Sequence, residues 1–189
     1  MMAGADEERI AVERSLAGAL DAFEPLVRRS SGMVVRLAYH MLGDWDEARD
    51  IAQESFARAY LCLRQYDPQR PFSTWVCTIA ARLATDRLRH RRVIWRAGEF
   101  LASRAATGAR RLDAEAILSL KEALARLTPR QRQAVVLCDL HGFTASEAAS
   151  MIGCSGSTVR VLRLLARRRL KDLLVHASRP LAAEVEAPE

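Results

Sequence analysis

Arginine carries nearly all of the positive charge in this 189-residue chain, whose only lysines are Lys121 and Lys171. Arg82, Arg87, Arg89, Arg91, Arg92, Arg96, Arg104, Arg110 and Arg111 crowd one stretch, opposed only by Asp86 and Glu99. Arg160, Arg163, Arg167, Arg168, Arg169 and Lys171 crowd a second, with no acid until Asp172. A guanidinium is a planar fork that suits bidentate phosphate contacts. Two such clusters separated by mixed sequence predict two contacts with a polyanion. Phe72 and Trp75 precede the first cluster, and aromatic rings beside phosphate-binding arginines suit a single strand whose unstacked bases need a π-face. Two aromatics filling a small core would read the same way. A third group, Asp50, Gln53 and Glu54, makes an acidic, amide-bearing face that suits a basic protein partner, although each residue alone also reads as plain solvation.

Other chemistries find no support. The sequence shows no catalytic triad, paired carboxylates or phosphate loop, so no enzyme and no cofactor is expected. Cys62, Cys77, Cys138 and Cys154 lie far apart, without a C-x-x-C pair or a histidine at metal-ligand spacing. They read as free thiols in a reducing compartment. No run approaches the ~20 apolar residues that span a bilayer. The N-terminus lacks signal-peptide form, which predicts a cytoplasmic protein without membrane insertion.

The elements that must position these residues are helical, since no alternating strand or hairpin signal occurs. A helix is predicted over 19–41, ending at Gly43, with Leu20, Phe23, Val27, Val34, Leu37 and Ala38 as its apolar stripe. Pro25 requires a break or a helix start there. The next, over 44–63, starts from Asp44 as cap with Glu47 completing a capping box. Ala48, Ile51, Ala52, Phe56, Ala59, Tyr60 and Leu63 form its buried stripe, opposite Asp50, Gln53, Glu54 and Ala57. A third runs over 73–92 after a turn-prone stretch at 67–71. Residues 93–112 sustain no stripe and read as a flexible basic linker. A helix returns over 113–127, and Thr128, Pro129 and Gln131 open another. The fold expected is all-α: an N-terminal extension (1–18), a helical domain (19–92), the linker, a second helical domain (113–177) and an acidic, disordered tail (178–189).

In the second domain, helix 129–141, a turn at Gly142, helix 145–152 with Thr144 and Glu147 as a capping box, and a turn at Gly153 precede a long basic helix. This is helix-turn-helix grammar, which places the N-terminal side chains of the last helix in a major groove and its arginines on phosphates. It also fits a LuxR-type regulator, so the first domain must decide.

Read together, the stretches "DEARDIAQESFARAY", "YDPQRPFSTWVCTIAARLATDRLRHRR" and "LTPRQRQAVVLCDLHGFTASEAASMIGCSGSTVR" resemble sigma-70 family sigma factors, specifically the extracytoplasmic-function (ECF) group. The resemblance spans roughly residues 20–175. It implies a sigma domain 2 at 19–92 that binds core RNA polymerase and the minus-ten element, and a sigma domain 4 at 113–177 that reads the minus-thirty-five element. Asp50, Gln53 and Glu54 would face the polymerase β′ clamp, with a further contact to the β flap. The loop 65–71 with Phe72 would hold a flipped base beside Trp75 and Arg82, and Arg87, Arg89, Arg91 and Arg92 would grip the backbone. Ser157, Thr158 and Arg160 would enter the minus-thirty-five groove, with Arg167 and Arg168 on phosphates. The resemblance further implies promoter DNA and an anti-sigma factor as partners, and a nucleoid-associated location. Many members carry Asn at the position of Arg82; a guanidinium offers donors only.

One departure concerns the last helix. Its expected buried stripe is Val159, position 163, Ala166 and Leu170, so Arg163 falls where an apolar residue belongs. Burying it unpaired is costly. Either the helix rotates or Arg163 finds a partner, with Leu162 taking part of the core and Leu164 and Leu165 turned toward the DNA side. A LuxR-type regulator and a helical polymerase-binding or protein-binding adaptor remain the alternatives to a sigma factor.

Overall fold

The computed structural model describes residues 3–102 and 120–177, with side chains from 6–91 and 120–174. Every described element is helical. The first unit holds α1 (Ala3–Leu16), a short 3-10 turn (Leu20–Phe23), α2 (Glu24–Leu42), α3 (Trp45–Leu61) and α4 (Phe72–Ala102). The second holds α5 (Leu120–Ala125), α6 (Pro129–Val135), a π turn (Val136–Leu140), α7 (Ala145–Ile152) and α8 (Gly156–Ala177).

Local chemistry explains most boundaries. Pro25 sits in the first turn of α2, where its missing N–H costs nothing. The helix expected over 19–41 therefore divides there, and Leu20 lies exposed on the 3-10 turn instead of joining the stripe. Gly43, at φ +76°, ends α2 in the left-handed conformation that a side chain would disfavour. Asp44 Oδ1 accepts from the backbone N–H of Asp46 and Glu47, each at 2.9 Å. The reciprocal half of that capping box is missing, because Glu47 turns away to pair with Arg91. Thr128 with Gln131 and Thr144 with Glu147 do form complete boxes.

Phe23, Leu26, Val34, Leu37, Met41, Ile51, Phe56, Phe72 and Val76 fill the core among α2, α3 and α4. Leu137, Ala148, Met151, Val159 and Ala166 fill the core of the second unit. Three expectations change. Residues 3–16, read as an extension, form α1; of its described side chains only Val12 and Ser15 are buried, too few to make a legible stripe. α4 continues to Ala102, past position 92. The segment 129–141 switches at Val136 to a π turn, closed by His141 N–H donating to Val136 O at 3.0 Å. The expected tail lies outside the described residues, as do positions 103–119 of the expected linker and helix.

Candidate nucleic-acid interface

On the first unit the short connection before α4 is braced from within. Gln69 N–H donates to Asp67 Oδ1 at 3.0 Å, and Arg70 N–H to Asp67 O at 3.1 Å. Pro68, Gln69, Arg70 and Pro71 are exposed. Phe72, expected to face a base, is fully buried; its ring meets Phe23 edge-on at 5.7 Å and also packs on Tyr66 and Trp75. This is the packing that the sequence left open beside the functional reading. Trp75 is half-buried against Tyr66, with part of its ring open.

The arginines of α4 divide. Arg87 is exposed, Arg89 pairs with Asp86 at 3.2 Å, and Arg91 pairs with Glu47. The Arg92 side chain lies outside the described residues. Arg82 reaches across to the second unit, donating from Nε to Met151 O and from Nη2 to Ser150 O, each at 3.3 Å. Sequence reasoning assigned Arg82 to a base pocket; here two of its five donors go to the backbone of α7.

Arg82 belongs to a seam between the two units. Arg132 is only 7% exposed, and donates from Nη1 to Met41 O at 2.5 Å and from Nη2 to Ala125 O at 2.8 Å. Burial, aided by the charge of Arg91, lowers its pKa to about 10. Gln133 Nε2 donates to Ala81 O at 3.4 Å. His40 Nδ1 and His141 Nε2 meet at 3.2 Å. Alongside lies a cleft of about 480 Å³ whose lining includes Arg91, Arg126, Arg132 and Arg169. Apart from the bond to Ala125, seven positions away, these contacts join residues 52 to 101 positions apart, and nothing local in sequence marks them.

The helix-turn-helix is formed by α7, the turn at Gly153 (φ +73°) and α8. Ser155 Oγ accepts from Thr158 N–H at 3.2 Å, and lies 2.7 Å from Ser157 Oγ and 2.8 Å from Thr158 Oγ1. Ser157, Thr158 and Arg160 are all exposed at this end of α8, which suits base-edge contact. Arg168 is exposed as well. Arg167, expected on a phosphate, is instead drawn to Asp139, with Nη2 2.5 Å from Oδ1. Val159 and Ala166 are buried, Leu162 packs against the core, and Leu164 and Leu165 are exposed.

On α3, Asp50 and Gln53 are exposed while Glu54 is half-buried and ion-paired with Arg58 at 2.6 Å. The stripe behind them is buried from Ala48 through Ala59. The four cysteines form no disulfide, and burial pushes the Cys77 thiol up to about 12. Among the described residues no cluster of three or more His, Cys, Asp or Glu could hold a metal, and no helix is long and apolar enough to cross a membrane.

Residues 26–93 match the family model for Sigma-70 region 2, and residues 117–170 match that for Sigma-70, region 4. RNA polymerase sigma factor CarQ of Myxococcus xanthus is 32% identical over 165 residues, spanning 86% of this chain and 95% of CarQ. The chain belongs to the sigma-70 family, in its ECF group. ECF RNA polymerase sigma factor BldN of Streptomyces coelicolor is also 32% identical, over 172 residues; the match spans 86% of this sigma factor and 64% of BldN. Among solved structures, CnrH in complex with the cytosolic domain of CnrY matches with a TM-score of 0.64 at 26% identity, over 89% of this chain and 97% of that one. Sigma factor RpoE from Bartonella quintana, solved with the anti-sigma factor NepR, shares the fold with a TM-score of 0.59 at 20% identity, over 82% and 95% of the two chains.

Proposed function

We propose that this sigma factor docks on core RNA polymerase through the exposed face of α3 and directs initiation by reading two promoter elements, one with each unit. The observation that carries the reading is the presence in one chain of a region 2 match and a region 4 match, each bearing exposed arginines. Asp50 and Gln53, with Glu54 beside them, contact the polymerase clamp. The exposed loop 67–71 with the open part of Trp75 captures a minus-ten base, and Arg87 holds the backbone. Ser157, Thr158 and Arg160 read the minus-thirty-five groove while Arg168 takes a phosphate. The polymerase does the chemistry, so no catalytic group is assigned.

Loading on a promoter requires the seam to part. Arg82, Arg89 and Arg91 then exchange their present partners for phosphates, and Arg167 can leave Asp139. The controlling partner is an anti-sigma factor, and the working location is the nucleoid. The test is reconstitution: purified protein added to core polymerase yields promoter-specific transcripts that neither component makes alone. DNA binding without polymerase dependence would favour a free-standing regulator, and polymerase binding without initiation would favour an adaptor.

A further inference from the structure

Glu8 lies on α1, outside the residues that match region 2. Its Oε1 accepts from Tyr66 Oη at 2.7 Å and from the Phe72 backbone N–H at 2.6 Å. Tyr66 and Phe72 bracket the exposed residues 67–71, so a single carboxylate oxygen holds both ends of the loop. The Phe72 N–H is the first donor of α4, and Pro71 before it has no side chain that caps. Glu8 supplies that cap from another helix, where a negative charge also suits the helix dipole. Tyr66 Oη lies 2.6 Å from Arg70 O as well, so its one proton is shared between the loop carbonyl and Glu8. Glu7, one residue earlier, faces elsewhere and pairs with Arg29.

We infer that Glu8 is a positioning residue for minus-ten selection, holding loop 67–71 in the shape that accepts one base. This rests on the reading of that loop as the base-capturing element. A pocket discriminates only while its donors and acceptors stay within about 0.5 Å of the productive geometry. Within the loop the braces run from 66 to 70; at its ends Tyr66 N–H donates to Leu63 O, Thr74 and Trp75 N–H donate to Pro71 O, and the Tyr66 and Phe72 rings pack together. Glu8 adds one acceptor, from a third helix, that joins the two ends. It does so across 58 and 64 residues of chain, from a helix with little buried surface of its own.

The experiment combines two measurements on the full-length chain: hydrogen exchange of the Phe72 amide, and initiation by reconstituted holoenzyme from promoters that differ at one minus-ten base. Losing a charge-assisted bond predicts roughly tenfold faster Phe72 exchange in Glu8→Ala. The preference between the best and second-best base should fall by a similar factor, with affinity for core polymerase unchanged. Glu8→Gln keeps an acceptor oxygen in reach without the charge and should restore part of both, and Glu7→Ala should move neither. Tyr66→Phe, which removes one hydroxyl, should give a smaller loss in the same direction and serves if Glu8→Ala folds poorly. An unchanged base preference in variants whose Phe72 exchange has risen would overturn the proposal, as would unchanged exchange. Substituting Gln69 within the loop separates the two readings. If that change leaves the preference alone, the loop is not the reader; if it shifts the preference while Glu8→Ala does not, only the role of Glu8 falls.

Discussion

Arg163 donates to Asp139 Oδ1 twice, from Nε at 2.8 Å and from Nη2 at 2.5 Å. The expected conflict on α8, an arginine in an apolar stripe, is thus resolved by a partner from the π turn. Asp139 holds Arg167 as well, so one half-buried carboxylate serves two guanidiniums.

Asp139→Ala should therefore destabilise the second unit by ~1–2 kcal/mol, a modest figure because Arg163 and Arg167 are partly exposed and solvent screens them. Urea denaturation measures it. The same change releases Arg167, so the salt dependence of duplex binding should steepen by about one phosphate contact. Burial pushes the Asp139 pKa up, but the hydrogen bonds and charges of Arg163 and Arg167 outweigh it, and the net value falls below the ordinary 3.8. The stabilisation is therefore complete above that ordinary value and disappears as pH falls through the lower folded one.

The histidine contact makes the seam sensitive to acid. Burial first, then the charges of His40 and Arg36, lower the His141 pKa to about 4, and burial with Arg36 also lowers that of His40. The closed seam favours neutral rings. Its stability is complete above the ordinary 6.5 and declines as pH drops from there toward the folded values. Energy transfer between dyes on α2 and α8 should report separation of the units between about pH 7.5 and pH 5, roughly the range in which histidine titrates. His141→Asn should flatten that response; an equal response in the variant would rule the pair out.

Arg132→Lys should weaken the seam nearly as much as Arg132→Ala. A lysine is a point charge and cannot reach Met41 O and Ala125 O with a single planar fork. Leaving buried carbonyls unpaired costs about 1–3 kcal/mol each. Small-angle scattering of the two variants should show a larger radius than the parent protein; an unchanged radius would mean that apolar contact alone holds the units together.

Reversing charge at Asp50 and Glu54 together should cut affinity for core polymerase at least tenfold, while the melting temperature barely moves, since exposed substitutions typically cost about 0.5 kcal/mol or less. Glu54 also loses Arg58 as partner, a surface pair worth about 0.3–0.5 kcal/mol. Titration of labelled protein with core enzyme provides the number, and undiminished affinity would move the docking face elsewhere.

What was legible in the sequence follows from how far each signal reaches along the chain. The boxes at Thr128 and Thr144, the cap at Asp44 and the stop at Gly43 act within one helical turn, and each was readable. So was the stripe from Ala48 to Ala59, because a 3.6-residue period records its own buried face. The demand for a partner at Arg163 was readable too, although not its answer, since Asp139 lies 24 positions away. Phe72 was ambiguous because an aromatic beside arginines looks alike whether it stacks on a base or packs on Phe23, as it does here. Glu8 and Arg132 left no trace, because a hydrogen bond to a distant backbone group needs only a donor or acceptor brought there by the fold.

That last property gives the seam an evolutionary asymmetry. Across the seam Arg82, Arg132 and Gln133 all donate to main-chain carbonyls, at Met151, Ser150, Met41 and Ala81. A carbonyl is present whatever side chain its residue carries. The accepting positions are free to drift, Ser150 beside the DNA-reading turn among them, without unfastening the two halves. Correlated substitution between paired columns of homologous sequences should accordingly be weak at these four carbonyl contacts and stronger at Asp139 with Arg163, where both partners are side chains.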